Sequence, residues 1–456
     1  MKHPASFRDP AGFIFEHEGR ILRQVNKAGA ADYDLLMGSG LYNALTDQKL
    51  LIPHRAVSDK GSPEYPSRHL LIEPERIQMI SYPYEWSFSQ LQDAALTTLR
   101  IQQIALSKGM TLKDASAYNI QFHKGAPIFI DTLSFEKYHE PHPWQAYRQF
   151  CQHFLAPLAL MAYVHPDLIK LLRIYIDGIP LPVATKMLPR RAHLTPGLLI
   201  HLLLHSRAQR QSAGTQKKSE AKISQRNLEA LIDSLMRTVK ALRWRPSGTE
   251  WGEYYDFTNY TDAAFAHKKR LIDEFIASLN PQSIWDLGGN TGEFSRASSD
   301  RGIQTVCFDI DPVAVEKNYR LTKKQHEEHM LPLLLDLTNP SPLLGWANQE
   351  RSSLSARGPV DVVMALALIH HLAISANLPL DSVASYFATL GQYLIIEFIP
   401  KTDSKVQILL STRKDIFPDY SEQGFERAFK EYYDIVQKKS ITGSQRTIFL
   451  MKKKGT

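Results

Sequence analysis

The sequence predicts an α/β chain of two domains. The C-terminal half is read as a seven-stranded sheet, five parallel strands followed by an antiparallel terminal hairpin, and the N-terminal half as an α+β unit. Three observations lead there. The 456 residues exceed what one ordinary core organises. Short apolar runs alternate with helical periodicity after about residue 260, the pattern of parallel strands covered on both faces. The last two runs are separated only by a short turn around Gly443, and so short a connection requires an antiparallel pair.

Composition narrows the class. An apolar fraction of 43% and a charged fraction of 22% are those of a globular protein. Cys151 and Cys307 are the two cysteines, far apart, so no disulfide framework or metal knuckle is expected, and a reducing, cytoplasmic setting is. The opening residues lack the apolar run of a secretory signal. The most apolar run, 154–164, is too short to span a bilayer and reads as a buried helix, so no membrane span and no metal are expected. Of the net charge of +7, the stretch 206–227 carries +5: Arg207, Arg210, Lys217, Lys218, Lys222 and Arg226 against Glu220. Confined to one Ser- and Gln-rich stretch without apolar period, this charge reads as a solvated basic linker rather than a nucleic-acid arm. The predicted domains are therefore 1–205 and 228–456, joined by 206–227. No repeat or pattern fixes an oligomeric state.

Along the second domain, Leu228, Leu231, Ile232, Leu235, Met236, Val239 and Leu242 recur at helical spacing. An aromatic stretch follows, Trp251, Tyr254, Tyr255, Phe257 and Tyr260, then a helix over 263–279. Strands are predicted at 283–287, 305–310, 331–335, 360–368 and 393–399, with the terminal pair at 433–441 and 446–452.

The sharpest motif is Asp286-Leu287-Gly288-Gly289-Asn290-Thr291-Gly292, where the first strand runs into a helix. Small residues there let the backbone approach a ligand at a helix N-terminus. Asp309 ends the next strand, where a carboxylate accepts from both hydroxyls of a ribose. Asp336 ends the third, where one accepts from an adenine amino group. The three features share the C-terminal edge of the sheet, the edge at which open α/β sheets bind ligands.

On these residues, 250–456 resembles the class I S-adenosylmethionine-dependent methyltransferases, whose fold is Rossmann-like. Asp286, Gly288 and Gly292 match that family's first motif, and Asn290 stands where its central glycine is usual, a mild departure because Asn tolerates unusual backbone angles. The resemblance implies that Gly288 and Gly292 line the methionine end of S-adenosylmethionine, that Asp309 holds the ribose and Asp336 sits by the adenine, and that Tyr260 covers the cofactor. A nicotinamide dehydrogenase shares a Gly-rich turn and a distal acid. Its fingerprint is Gly-x-Gly-x-x-Gly, whereas the glycines here fall at 288, 289 and 292, and a terminal hairpin does not suit it.

Methyl transfer from a sulfonium needs alignment and water exclusion, and a base where the acceptor loses a proton. His370 and His371 follow the fourth strand beside the expected acceptor position. One is placed to act as that base, or both fix the loop by hydrogen bonds. Glu397 and Lys401 end the fifth strand, to contact the acceptor or to make surface pairs. The Asn/Asp-Pro-Pro-Tyr/Phe motif of base amino-methyltransferases is absent, which turns the reading from nucleic acid toward a small-molecule or glycan acceptor.

In the N-terminal unit, helical spacing covers 91–108, 76–86 reads as a strand leading into a hinge-like turn, and Glu18-Gly19 joins a hairpin of 13–15 and 20–25. Asp114, Asn119 and then Asp131 at the end of an apolar strand resemble the catalytic loop and metal-binding strand of the protein-kinase-like fold. That resemblance implies a base at Asp114 and magnesium ligands at Asn119 and Asp131. The departures are that Leu112 stands where His or Tyr is usual, Thr-Leu follows Asp131, and neither a Gly-rich phosphate loop nor a strand lysine paired with a helix glutamate is visible. They point to a degenerate module that recognises a substrate or partner. Ser6-Phe7-Arg8-Asp9-Pro10 and Tyr82-Pro83-Tyr84-Glu85-Trp86, together with the methyltransferase half, are similar to bacterial proteins related to nodulation host-specificity proteins. The expected function is methyl transfer assisted by the N-terminal unit. The alternative is a binding or regulatory protein with both sites vestigial.

Overall fold

A computed structural model of the chain describes residues 2–58, 65, 67–207, 222–249, 260–411 and 414–455. They form two compact units, 1–245 with 343–351, and 246–342 with 352–456. The middle of the expected linker, 208–221, and the aromatic residues Trp251, Tyr254, Tyr255 and Phe257 lie outside the described residues.

The first unit opens with β1 (Gly12–His17) and β2 (Arg20–Asn26). Glu18 and Gly19 between them both have positive φ, 51° and 73°, the two-residue turn whose twist matches paired strands. With β3 (His54–Val57) and β4 (Arg68–Pro74) they form an antiparallel sheet in the order β1-β2-β4-β3. Phe13, Phe15, Leu22 and Leu71 make one of its buried clusters. The helix Phe88–Ser107 starts at a capping box: Ser87 N donates to Gln90 Oε1 at 2.9 Å, and Gln90 N to Ser87 Oγ at 3.4 Å. Two small antiparallel pairs follow, β5 (Met110–Leu112) with β8 (Phe135–Lys137), and β6 (Ile120–His123) with β7 (Ala126–Phe129).

Two expectations are corrected in this unit. The stretch 76–86 is not a strand: β4 ends at Pro74, and Pro83–Glu85 is a 3-10 turn. Pro83 brings no N–H to a ladder, and the buried Glu85 carboxylate accepts from Tyr82 N at 2.9 Å, which closes the turn on itself. The helix Gln225–Ala241, assigned by sequence to the second domain, belongs to the first unit. Its stripe of Leu228, Ile232, Leu235 and Val239 is buried. Gln92 of the Phe88–Ser107 helix donates to Val239 O at 2.8 Å and to Leu242 O at 3.1 Å. Periodicity defines an apolar face but not the surface that covers it. The boundary therefore falls at 245/246 rather than at 206–227.

The second unit is a seven-stranded mixed sheet in the order β11-β10-β9-β12-β13-β15-β14. Its strands are β9 (Ser283–Leu287), β10 (Gln304–Asp309), β11 (Met330–Leu334), β12 (Val360–Ala365), β13 (Gly391–Phe398), β14 (Tyr433–Ser440) and β15 (Thr447–Lys453). The first five are parallel; β15 runs antiparallel to both β13 and β14, so β14 points the same way as the first five. Leu271, Ile272, Phe275 and Ile276 of the helix Asp262–Leu279 pack with Ile284, Val362, Met364, Ile395 and Leu450 from the sheet. The fourth strand is shorter than expected. It ends at Ala365, and Leu366–Leu368 leave the sheet through Ala367 at φ 49°.

Because Leu235 is fully buried, Leu235→Ala should destabilise the first unit by about 2–5 kcal/mol, the usual cost of such a core truncation. Urea denaturation followed by circular dichroism measures it. An unchanged midpoint would remove this helix from the core.

Candidate functional site

The site grows from the C-terminal ends of β9, β10 and β11. Gly288 (φ 76°) and Asn290 (φ 51°) turn the chain sharply after β9 through left-handed backbone. Gly288 N and Gly289 N both donate to Phe308 O, at 2.8 and 2.9 Å, which folds the turn over β10. Asn290 N then donates to Asp309 Oδ2 at 2.8 Å, while Asp311 N occupies Oδ1 at 2.8 Å. Gly289 is required from beneath: a Cβ there would stand 2.6 Å from both Asp286 Oδ2 and Cys307 Sγ.

Around this turn lies a cavity of about 460 Å³, within the usual size of a small-molecule site. Asp286, Gly288, Asn290, Asp309, Asp336, Tyr260 and His371 all line it. Two predicted residues do not. Gly292 faces away, where a Cβ would stand 2.7 Å from Asn318 Nδ2 and 2.8 Å from Arg296 NH1, so its role is helix packing. His370 is buried behind His371, the two rings 4.0 Å apart, and its Nδ1 has no hydrogen-bond partner among the described residues. Burial first, then His371, Arg446 and Lys268, hold His370 well below its ordinary range. Burial lowers His371 to about 4, so both imidazoles are neutral at physiological pH. His371 opens a π-helical turn, His371–Ser375, a distortion that often marks functional sites.

The carboxylates differ in environment. Asp286 is almost wholly buried; Ser295 Oγ donates to its Oδ2 at 2.6 Å, but Oδ1 has no hydrogen-bond partner among the described residues. Burial pushes Asp286 up to about 7, and pushes Asp309 up to about 6 against the pull of its backbone donors. Asp336 is half-buried at the rim and accepts from Thr338 N at 2.9 Å and Thr338 Oγ1 at 2.6 Å, closing a turn on itself.

A buried ionic network forms the other side. Lys268 Nζ donates to Glu397 Oε2 at 2.7 Å, Ala367 N donates to the same oxygen at 2.8 Å, and the Tyr260 hydroxyl donates to Oε1. Arg446 donates from NH1 to Tyr260 at 2.9 Å and from Nε to Asp403 Oδ2 at 2.7 Å. Burial alone would raise the Glu397 carboxyl, but the Lys268 and Arg446 charges hold it below the usual carboxylate range. Two cations face two anions, so the network is neutral overall. Neither sequence reading of Glu397 anticipated this: it is fully buried, not a surface partner, and is absent from the cavity lining. Lys401 does make a surface pair, with Asp415 at 2.7 Å. Lys268, Tyr260 and Arg446 lie far apart in sequence and carry no motif. An isolated ionisable residue inside an apolar run was a signal for Glu397 alone; Lys268 stands in the charged run His267–Arg270 and carried none.

In the first unit, Asp114, Asn119 and Asp131 meet. Asn119 Nδ2 donates to Ser134 Oγ at 3.3 Å, and Ser134 Oγ to Asp131 Oδ2 at 2.6 Å. Asp114 accepts from Ser116 N at 2.9 Å; burial first, and Asp131 among its neighbours, raise its carboxyl. Sequence reading missed Arg23 of β2, a cation from the strand sheet that is ion-paired with Asp131. Burial would raise Asp131, but the Arg23 charge and the Ser134 hydroxyl keep it below its ordinary value. The segment Leu343–Arg351 also belongs to this unit: Glu350 pairs with Arg8 at 2.5 Å, and the Arg351 guanidinium lies 4.1 Å from the centre of the Tyr118 ring.

No family model matches the chain. It is 34% identical over 459 residues to the nodulation protein NoeA of Rhizobium meliloti (strain 1021), an alignment covering 97% of this chain and 94% of NoeA. The chain belongs to the NoeA family. The similarity first read from residues 6–10 and 82–86 thus holds along nearly the whole length.

Solved structures similar to this NoeA-family chain cover a little under half of it. Magnesium protoporphyrin IX methyltransferase (ChlM) of Synechocystis PCC 6803, crystallised with S-adenosylhomocysteine, is 14% identical and covers 45% of this chain and 93% of its own, at a TM-score of 0.32. An S-adenosylmethionine-dependent methyltransferase of Clostridium acetobutylicum ATCC 824 is 14% identical over 45% and 98%, at 0.33. The bifunctional kinase-methyltransferase WbdD is 15% identical over 44% and 42%, at 0.30.

The raised carboxyl of Asp286 makes stability depend on pH. The folded state binds the proton more tightly than the unfolded chain, so stability falls as pH rises from about 4 to about 7 through this group. Asp286→Asn should remove that decline. Thermal melts at pH 5 and pH 8 should show the variant gaining on wild type at pH 8 by at least about 1.4 kcal/mol, the equivalent of one pKa unit. A parallel shift at both pH values would refute it.

Proposed function

We propose that the second unit binds S-adenosylmethionine and transfers its methyl group to a small-molecule or glycan acceptor. The observation that carries this reading is Asp286 Oδ1: a buried carboxyl oxygen of a cavity-lining residue with no donor among the described residues. A buried acceptor left unmatched is costly, and the ammonium of the cofactor's amino-acid end would supply the missing donor. The rest of the lining suits the same molecule. Asp309, held by two backbone amides, keeps lone pairs for the ribose hydroxyls. Asp336 stands at the rim for the adenine amino group. The Gly288–Asn290 backbone lets the ligand come close, and Tyr260 and Phe294 cover it.

When bound, S-adenosylmethionine supplies a methyl group activated by its sulfonium. What remains for the chain is to align an acceptor, exclude water and take up a proton. Leu366, Leu368, Leu372 and Leu409 provide an apolar wall for exclusion. His371, neutral and on the cavity surface, is the proton acceptor in this reading. His370, behind it, is a support. The low pKa of His371 returns the proton readily to solvent after transfer.

For the first unit we propose recognition rather than phosphoryl transfer. The support is the Arg23–Asp131 ion pair, which neutralises the carboxylate that the kinase-like reading assigns to magnesium. Titration of the full chain with ATP and magnesium should then show no phosphorylated product.

Calorimetric titration with S-adenosylmethionine tests the main reading. Wild type should bind, and Asp309→Ala should bind at least about tenfold more weakly, having lost hydrogen bonds to a charged group. Binding needs the Asp286 and Asp309 carboxylates. Affinity should therefore level off above about pH 8 and fall as pH drops through about 7, where Asp286 takes up its proton, and further through about 6 with Asp309, by up to about tenfold per unit for each group. Absence of binding in wild type would end the proposal. With an acceptor found by screening for S-adenosylhomocysteine release, His371→Ala should slow turnover by about 10²-fold or more, and His370→Ala by less, while both still bind the cofactor. Equal rates in both variants and wild type would remove the base.

A further inference from the structure

Between Asp177 and Glu220 the chain contains no Asp or Glu. The described part of that stretch belongs to the first unit and exposes Lys186, Arg190, Arg191 and Arg207. The same surface exposes large aliphatic side chains: Met187, Leu194 (83%), Leu199, Ile200 (49%) and Leu204. The segments that carry them adjoin. The helix Leu181–Met187 and the turn Arg190–Leu194 both pack against the π-helical segment Leu199–Leu204. Within that segment His201, Leu202 and Leu203 are buried, while Leu199, Ile200 and Leu204 face outward. Arg191 NH2 donates to Tyr163 O at 3.2 Å, and the Tyr163 hydroxyl bonds Thr195 Oγ1 at 2.9 Å, which sets the exposed Val164 beside the same face.

Single exposed aliphatics are ordinary on protein surfaces; a cluster of them marks an interaction site. The composition of this cluster selects the partner. Protein interfaces gather aromatic residues at the centre and both signs of charge around the rim. Here the exposed large apolar side chains of 181–204 are aliphatic, and the charged residues of that stretch, Lys186, Arg190 and Arg191, are all cationic. That is the chemistry of a surface lying in a membrane interface, with aliphatic groups at the acyl boundary and Lys and Arg at anionic headgroups. No helix among the described residues is long and apolar enough to cross a membrane. We propose that the face built from Val164, Met187, Leu194 and Leu199–Leu204, with Lys186, Arg190 and Arg191, docks the first unit on an anionic phospholipid surface. The residues of this face all lie in the first unit.

Co-sedimentation of the full chain with vesicles tests this directly. The protein should pellet with equimolar phosphatidylcholine–phosphatidylglycerol vesicles and not with phosphatidylcholine alone, and added salt should release it. Replacing Arg190 and Arg191 together by Gln should weaken binding about fivefold per charge. Leu194→Asp with Ile200→Asp should abolish it. These side chains are exposed, so an unchanged thermal melt shows that the fold survives; the arginine pair supplies a second variant that leaves the apolar face intact. The proposal is overturned by absence of pelleting, by equal pelleting with neutral vesicles, or by folded variants that pellet like wild type. A dimer in sedimentation velocity that Leu194→Asp breaks, without vesicle binding, would assign the face to a second copy instead.

Discussion

The amide of Asn290 donates to the Asp309 carboxylate at 2.8 Å, and the cavity takes its form from that bond. It joins the turn after β9 to the end of β10, so the glycine backbone and the second acid converge on one volume. The bond requires the left-handed backbone at Gly288 and Asn290, because an extended continuation of β9 would carry the amide away from Asp309. It also requires β9 and β10 to be parallel neighbours, which the order of the sheet provides. The Asp309 carboxylate thus helps to build the site as well as to face it, and the same amides that hold it oppose the effect of burial on its proton.

Behind the cavity-lining residues Lys268 and Tyr260, Glu397 performs a similar service with full charges. It holds Lys268 from the Asp262–Leu279 helix, Tyr260 ahead of that helix, and the amide of Ala367. Arg446, just before β15, extends the network to Asp403. Buried ion pairs contribute little net stability once desolvation is counted, but breaking one strands the other charge. Their effect here is to allow only one arrangement of these segments. The network explains why Ala367 stays in a left-handed conformation that alanine does not favour: its amide is tied to a carboxylate held from two other directions. The antiparallel hairpin is therefore joined to the cavity wall through Arg446, in addition to extending the sheet.

The first unit shows the same principle with a different outcome. Asp114, Asn119 and Asp131 converge as the loop spacing suggested, yet the cation that meets Asp131 comes from β2 of the strand sheet. An arginine already paired to a carboxylate leaves that carboxylate little attraction for a metal ion. The pair also links the strand sheet to the loops around β6 and β7, so in the present arrangement its role is structural.

Much of the second unit was legible in the sequence because its signals are local. Strand and helix alternation, the short turn at Gly443, the glycines after Trp285 and the acids at positions 309 and 336 each reflect a few neighbouring residues. The same locality explains the errors. Gly292 belongs to a glycine motif, but its neighbours Asn318 and Arg296 decide that it packs a helix instead of facing the cavity. His370 and His371 are adjacent in sequence and equal in chemistry; the π-helical turn sends one to the cavity and the other behind it. The Gln225–Ala241 helix announced an apolar face, and only the Phe88–Ser107 helix determined which unit covers it. By itself, then, the sequence determined the order of the elements and the residues brought to the C-terminal edge of the sheet, since backbone periodicity and turn chemistry act over a few residues. Tertiary structure decided which charges meet, Arg23 with Asp131 and Lys268 with Glu397, because ion pairing depends on distance in space and leaves no spacing rule along the chain.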